Sequence, residues 1–111
     1  MVMMNFNTIA IARITVTALK KQLEQGDDIL LVDVREPFEH QHFNIGGLLI
    51  PLGEIMQHAA LFDTSKSVVC YCAKGIRSQI AIQRLQDKFG FTNLINLEGG
   101  MDAWQRLYPF S

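Results

Sequence analysis

Cys72 closes a short apolar run and opens a stretch suited to holding an anion, Ser67–Gly90, SVVCYCAKGIRSQIAIQRLQDKFG. Val68, Val69, Cys70 and Tyr71 form a β-favouring segment of the kind a parallel strand buried on both faces shows. Ala73, Lys74, Gly75 and Ile76 make a tight connection, after which Ala81, Leu85 and Phe89 recur at i, i+4 and i+8, the spacing of one helix face. Gly90 stands where a helix stop belongs. In a strand–turn–helix unit the free N–H groups of the turn and of the helix N-terminus point at one spot, here the sulfur of Cys72. Donors and positive dipole favour thiolate over thiol. The expected chemistry is that of a nucleophilic sulfur of lowered pKa, flanked by the cations Lys74 and Arg77.

Each piece also has a plainer reading. A free cysteine is most often a small buried hydrophobe, and only the turn, Gly75 and the nearby cations argue otherwise for Cys72. Cys70 reads as core, with a resolving partner for Cys72 as the alternative; a bridge between residues so close demands unusual geometry. A lone cation in a loop is usually solvated. Around an anionic sulfur, Lys74 is expected to touch substrate, and Arg77 either to touch it or to tie the loop to Asp33 or Glu98. Gly75 permits positive φ or close approach of a ligand, and Ser78 is placed to cap the helix. Asp33 and Arg35 fall just past a second apolar run, Ile29–Val32. They are either a surface ion pair worth little, or an anchor for loop backbone or Arg77 (Asp33) beside a residue lining the mouth (Arg35). His40 and His42 face different ways on a helix and His58 stands alone, so all three read as surface residues. Gly99, Gly100 and Trp104 read as turn and core packing. A C-x-C without a second Cys or His pair cannot supply four ligands, so neither metal nor cofactor is expected.

The elements that must position these residues follow from periodicity. Ile9, Ile11 and Ile14 lie in a stretch that begins the sheet. Thr15 caps a helix with Val16, Leu19 and Leu23 on one stripe and Lys20, Lys21 and Glu24 outward, ended by Gly26. Pro37 suits the first turn of a short helix through about His42, and Gly46-Gly47 breaks it. Leu48–Ile50 is a strand candidate closed by Pro51; Ile55, Ala59 and Phe62 suggest a helix; Leu94–Leu97 reads as a strand. Met101, Trp104 and Leu107 mark a last helix that Pro109 stops. Alternating strands and helices predict a parallel sheet with helices on both faces. Ligands of such sheets bind beyond the strands' carboxyl ends, which gathers Asp33–Arg35, Cys72–Ser78 and Glu98–Gly100 on one rim.

A chain of 111 residues suits one domain, taken as residues 8–111, with Met1–Asn7 as a flexible tail. That tail is uncharged and has no basic leader or long apolar core, so it is not expected to be a secretory signal. Hydrophobic content of 49 % with 19 % charge describes an ordered globular protein. A net charge of −1 gives no electrostatic reason to expect nucleic acid or an acidic membrane as partner. Two unbridged cysteines point to a reducing, cytoplasmic setting.

Four segments together resemble the rhodanese (thiosulfate sulfurtransferase) family, in its single-domain form. Asp33-Val34-Arg35-Glu36 is similar to the D-V-R-E after the family's second strand, and Cys72–Ser78 fits C-x-x-G-x-R-S. Glu98–Trp104 fits the closing G-G-x-x-A-W. Asn44–Pro51 stands where members read G-H-I-x-G-A-x-N-I-P, with Phe43-Asn44 for Gly-His and one residue fewer before the proline. The resemblance implies an α/β fold with a five-stranded parallel sheet of order 1-5-4-2-3. It implies sulfur transfer through a Cys72 persulfide, with Ala73, Lys74, Gly75, Ile76, Arg77 and Ser78 as the substrate loop, Arg35 at its mouth and Asp33 as loop support. It implies a donor such as thiosulfate and an acceptor that is a small thiol, cyanide, or a protein such as a sulfur carrier or thioredoxin. Cys-dependent phosphatases and arsenate reductases are the competing class, but they use Cys-x5-Arg, whereas Cys72 and Arg77 are spaced Cys-x4-Arg, a tighter loop for one sulfur atom rather than a tetrahedral phosphate. A non-catalytic rhodanese-like interaction domain is the remaining alternative; such members commonly lack the cysteine.

Overall fold

A computed structural model describes residues 10–109, so Ile9 and the expected tail Met1–Asn7 lie outside the described residues. Five strands, β1 (Ala12–Ile14), β2 (Ile29–Asp33), β3 (Leu48–Leu49), β4 (Ser67–Tyr71) and β5 (Leu94–Leu97), form one sheet of order β1-β5-β4-β2-β3. Every pairing is parallel. This is the order the family resemblance implies. Around the sheet run α1 (Val16–Glu24), α2 (Pro37–His42), a 3₁₀ helix (Leu52–Leu61), α3 (Ile76–Phe89) and α4 (Gly100–Leu107).

The apolar run of β4 is unbroken because both of its faces are covered. Val68 and Cys70 look toward α3 and the 3₁₀ helix, packing with Ile55, Ala81, Ile82 and Leu85. Val69 and Tyr71 look the other way, toward Val16 and Leu19 of α1 and Met101 and Trp104 of α4. The expected Thr15 cap forms, its Oγ1 accepting from the Ala18 N–H at 3.1 Å. Pro37 opens α2 as anticipated. One apolar position departs from its expected stripe, and one segment from its expected winding. Phe89 is half-exposed because α3, about 21 Å long at 14 residues, outruns the five-residue strand beneath it. The Ile55–Phe62 segment winds as 3₁₀ rather than α and kinks at His58, yet Ile55, Ala59 and Phe62 still pack on one core cluster. Among the described residues, no helix is long and apolar enough to cross a membrane.

Candidate active site

β4 is the middle strand of the sheet, and Cys72 follows its last residue. The loop from Ala73 to Gly75 turns back over the sulfur, and Gly75, at φ +95°, starts α3 in the left-handed conformation that only glycine adopts without strain. The Gly75 N–H donates to Cys72 Sγ at 3.1 Å and the Ser78 N–H at 3.3 Å; Ser78 Oγ lies 3.4 Å away. The carbonyls of the same loop face outward, where the first amides of α4 hold them: Met101 N–H donates to Cys72 O and Asp102 N–H to Ala73 O, both at 2.9 Å. A peptide's N–H points opposite to its C=O. By engaging the carbonyls, α4 turns the amides of Ala73 and Lys74 to the sulfur's side of the loop.

Burial by itself pushes the Cys72 thiol up, yet the net direction is down. The Ser78 hydroxyl and the N–H groups of Ser78, Lys74 and Gly75 together outweigh desolvation. Cys70 has no such donors, and burial next to Cys72 pushes it up to about 12. A cavity of about 170 Å³ opens over the sulfur, lined by Cys72, Ala73, Lys74, Ile76 and Arg77. Four of the residues expected at the substrate loop, Ala73, Lys74, Ile76 and Arg77, are thus at its wall, and Gly75 and Ser78 reach the sulfur itself. Among the described residues no cluster of His, Cys, Asp or Glu could hold a metal ion.

Three expectations are corrected. Arg35 does not line the mouth. Its side chain is only 6 % exposed, and its guanidinium donates to Asp33 through Nε at 2.9 Å and Nη2 at 2.8 Å, and to Phe43 O at 2.6 Å. Arg77 binds neither Asp33 nor Glu98; its two terminal nitrogens grip both oxygens of Glu39 at 2.7 and 2.8 Å, while Glu98 faces Arg13. Ser78 does not cap α3, because Gly75 occupies the cap and Ser78 lies inside the first turn with its hydroxyl aimed at Sγ and Asn96.

Asp33 anchors backbone, but that of its own loop: its carboxylate accepts from the Arg35 N–H at 3.0 Å as well as the guanidinium. Burial raises its pKa, and the bonds from Arg35 and His40 overturn this, so the group stays ionised. His40 is therefore not a free surface residue; its Nδ1 carries the proton to Asp33 Oδ2 at 2.8 Å. Through Arg35, His40 and Phe43 this buried knot clamps both ends of α2, which presents Glu39 to Arg77 on α3. Glu39 and Asn96, whose Nδ2 donates to Gly75 O at 3.0 Å, were not singled out in the sequence. Asn96 had a signal, as the one polar residue in the run Leu94–Leu97. Glu39 had none beyond its place near the start of a short helix.

The Glu39–Arg77 brace has a predicted pH window. The guanidinium of Arg77 holds the Glu39 carboxyl at about 2 against an ordinary 4.5. A carboxylate whose folded pKa is depressed stabilises the fold above its ordinary range and loses that contribution as pH falls through the folded value. Glu39→Gln is expected to lose about 1 kcal/mol at neutral pH, the pair being partly exposed. Urea unfolding of both proteins should converge as pH drops from about 4.5 to about 2; a difference that persists at the acid end would refute the brace.

A parallel α/β sheet whose central strand delivers a cysteine under converging amides defines a class of domains with a site suited to an anionic sulfur or ligand. The chain belongs to the rhodanese-like family: the Rhodanese-like domain profile matches residues 15–107. It is 35 % identical over 96 residues to the putative sulfurtransferase YtwF of Bacillus subtilis, covering 86 % of this chain and 91 % of that protein. It is 31 % identical over 99 residues to the putative sulfur carrier protein YrkF of the same organism, covering 88 % of this chain. The chain spans only about half of that relative, 53 % of its length. A rhodanese-like domain protein of Staphylococcus aureus superposes with a TM-score of 0.78 at 30 % identity, over 85 % of this chain and 91 % of that one.

Proposed function

We propose that this domain transfers sulfane sulfur through a persulfide on Cys72, with thiosulfate as a competent donor. The observation that carries the reading is the amide cradle, in which two backbone N–H groups donate to Sγ at 3.1 and 3.3 Å on the floor of a small cavity. Because these donors favour the thiolate over the thiol, the reading calls for no separate base. The Cys72 thiolate attacks the outer sulfur of thiosulfate; the S–S bond breaks, its electron pair leaves with sulfite, and Cys72 carries a second sulfur bearing the negative charge. That charge faces the loop amides and the first turn of α3, which stabilise it as an oxyanion hole does. Attack on the outer sulfur by cyanide or a thiolate returns Cys72 to its starting state.

The tight loop and Arg77 weigh against phosphate chemistry. Both terminal nitrogens of Arg77 are held by Glu39, whereas a phosphatase arginine must close on the oxyanion. A protein acceptor is the second reading, supported by Ile76, an apolar side chain 66 % exposed on the cavity wall. In that case turnover is slow with small thiols and rises when the partner is supplied.

Intact-mass measurement after incubation with thiosulfate tests the proposal: a gain of one sulfur atom that reductant removes is expected, and no gain would overturn it. Lys74 tests the donor. Its side chain is 74 % exposed and only loosely paired with Asp102 at 3.6 Å, free to meet a sulfonate. Lys74→Ala is expected to lower kcat/KM for thiosulfate by about tenfold, one charge-assisted bond, while persulfide formation from an uncharged donor changes little. Equal losses with both donors would remove Lys74 from the sulfonate site.

A further inference from the structure

Beside the nucleophile, one hydroxyl proton faces two acceptors. Ser78 Oγ lies 2.5 Å from Asn96 Oδ1 and 3.4 Å from Cys72 Sγ, and a hydroxyl can donate only once. The Asn96 amide cannot turn round and donate to Ser78 instead, because its Nδ2 already donates to Gly75 O at 3.0 Å. Reversal would set two carbonyl oxygens against each other. Asn96 therefore presents oxygen to Ser78, Ser78 donates to it, and toward the sulfur Ser78 is an acceptor. That arrangement suits a thiol, whose S–H can donate to Ser78. It does not suit a thiolate, which has only lone pairs to offer. When Cys72 ionises, the hydroxyl must swing to Sγ and leave Asn96 Oδ1 without its donor. Ser78 is fully buried and Asn96 only 5 % exposed, so solvent does little to replace the lost bond, and an orphaned buried acceptor is costly.

We propose that Asn96 is a positioning residue that governs the protonation of Cys72 through the Ser78 hydroxyl, drawing that hydroxyl off the sulfur in the thiol and reclaiming it once a persulfide has formed. The second half rests on the sulfur-transfer reading; the first does not. On ionisation the thiol proton passes to water, while the Ser78 proton stays on Oγ and only rotates about the Cβ–Oγ bond. When the persulfide forms, the negative charge moves to the outer sulfur, Sγ becomes a neutral and weak acceptor, and the hydroxyl turns back to Asn96. Asn96 thus works against the empty thiolate and in favour of the loaded form. The other charged and titratable groups around the sulfur are Arg77 on α3 with its partner Glu39 of α2, Lys74 in the loop with Asp102 of α4, the Glu98–Arg13 pair beyond β5, and Cys70 on β4. None of them contacts Asn96 through a hydrogen bond that the variants below would remove.

The test is the pH dependence of Cys72 alkylation by iodoacetamide in the full chain, for the wild type, Ser78→Ala, Asn96→Ala and the double variant. Below the thiol's midpoint, Ser78→Ala is expected to slow alkylation about tenfold, the loss of one bond to a charged group. Asn96→Ala is expected to speed it about threefold by freeing the hydroxyl for the sulfur, and to give no acceleration when Ser78 is already alanine. If Asn96 merely tethers the Gly75 carbonyl, its loss slows alkylation by the same factor in both backgrounds, which overturns the proposal. Should Asn96→Ala not fold, the side-chain carbonyl ¹³C resonance of Asn96 in the wild type decides the matter. It should titrate with the Cys72 midpoint and return to its thiol-state position on loading with one sulfur, and a flat response overturns the proposal. Sulfur loading itself is read separately by intact mass. Opposite effects of the two variants without loading keep the hydroxyl switch and discard sulfur transfer; loading with equal slowing does the reverse.

Discussion

Cys72→Ser is expected to abolish sulfur loading and to lower transfer on the order of 10³-fold or more, whereas Cys70→Ser keeps most of the activity. The two cysteines lie on the same face of the central strand and its extension, two residues apart, and both are buried to within 1 % of completely. Exposure does not distinguish them. Donors do: Cys72 receives the N–H groups of Gly75 and Ser78, while Cys70 sits in the apolar layer with Val32, Val68 and Leu85, where burial drives its thiol up to about 12. A serine hydroxyl in the same cradle stays protonated at neutral pH and forms no persulfide. Intact mass and steady-state transfer read the outcome, with both variants compared where they are folded, because a lone hydroxyl at position 70 itself costs about 1–3 kcal/mol. Equal activity of the two variants would overturn the choice of nucleophile.

Gly100→Ala is expected to cost about 3 kcal/mol or more and to reduce the reactivity of Cys72 although the cysteine is untouched. A Cβ at Gly100 would stand 2.3 Å from Cys72 O and 2.7 Å from Ala73 O, both backbone atoms, and φ there is +56°. Neither neighbour can move aside as a flexible side chain would. Relief requires α4 to withdraw from the loop, which breaks the Met101–Cys72 and Asp102–Ala73 bonds that hold the carbonyls outward. The amides then lose their orientation toward the sulfur. Gly53→Ala is the control, since a Cβ there meets nothing within 4 Å and the backbone is not left-handed. Urea midpoints and iodoacetamide alkylation rates report the two effects; normal alkylation in Gly100→Ala would show that α4 does not set the cradle.

Much of the site was legible because local chemistry writes it. Cys72, the glycine needed at position 75 and the strand-to-helix change around them are decisions of the nearest few residues, and a strand covered on both faces announces itself as an unbroken apolar run. Arg35 misled because an arginine past a strand end looks the same whether it faces solvent or, as here, a carboxylate two residues earlier that folds it inward. His40 misled for the same reason: its partner, Asp33, is seven residues away across a loop.

The order of apolar runs, turns and glycines in the chain was enough to establish a doubly covered parallel sheet and to single out Cys72, since these depend on periodicity and on backbone conformations that few residues tolerate. Only the tertiary structure decided who holds whom on the rim: Glu39 rather than Asp33 or Glu98 for Arg77, α4 for the loop carbonyls, and Asn96 for the Ser78 hydroxyl. The physical reason is reach. Charge and hydrogen-bond partners act over a few ångströms in space between residues 18 to 38 positions apart in sequence, and no local pattern records which of several similar side chains will be brought within that distance.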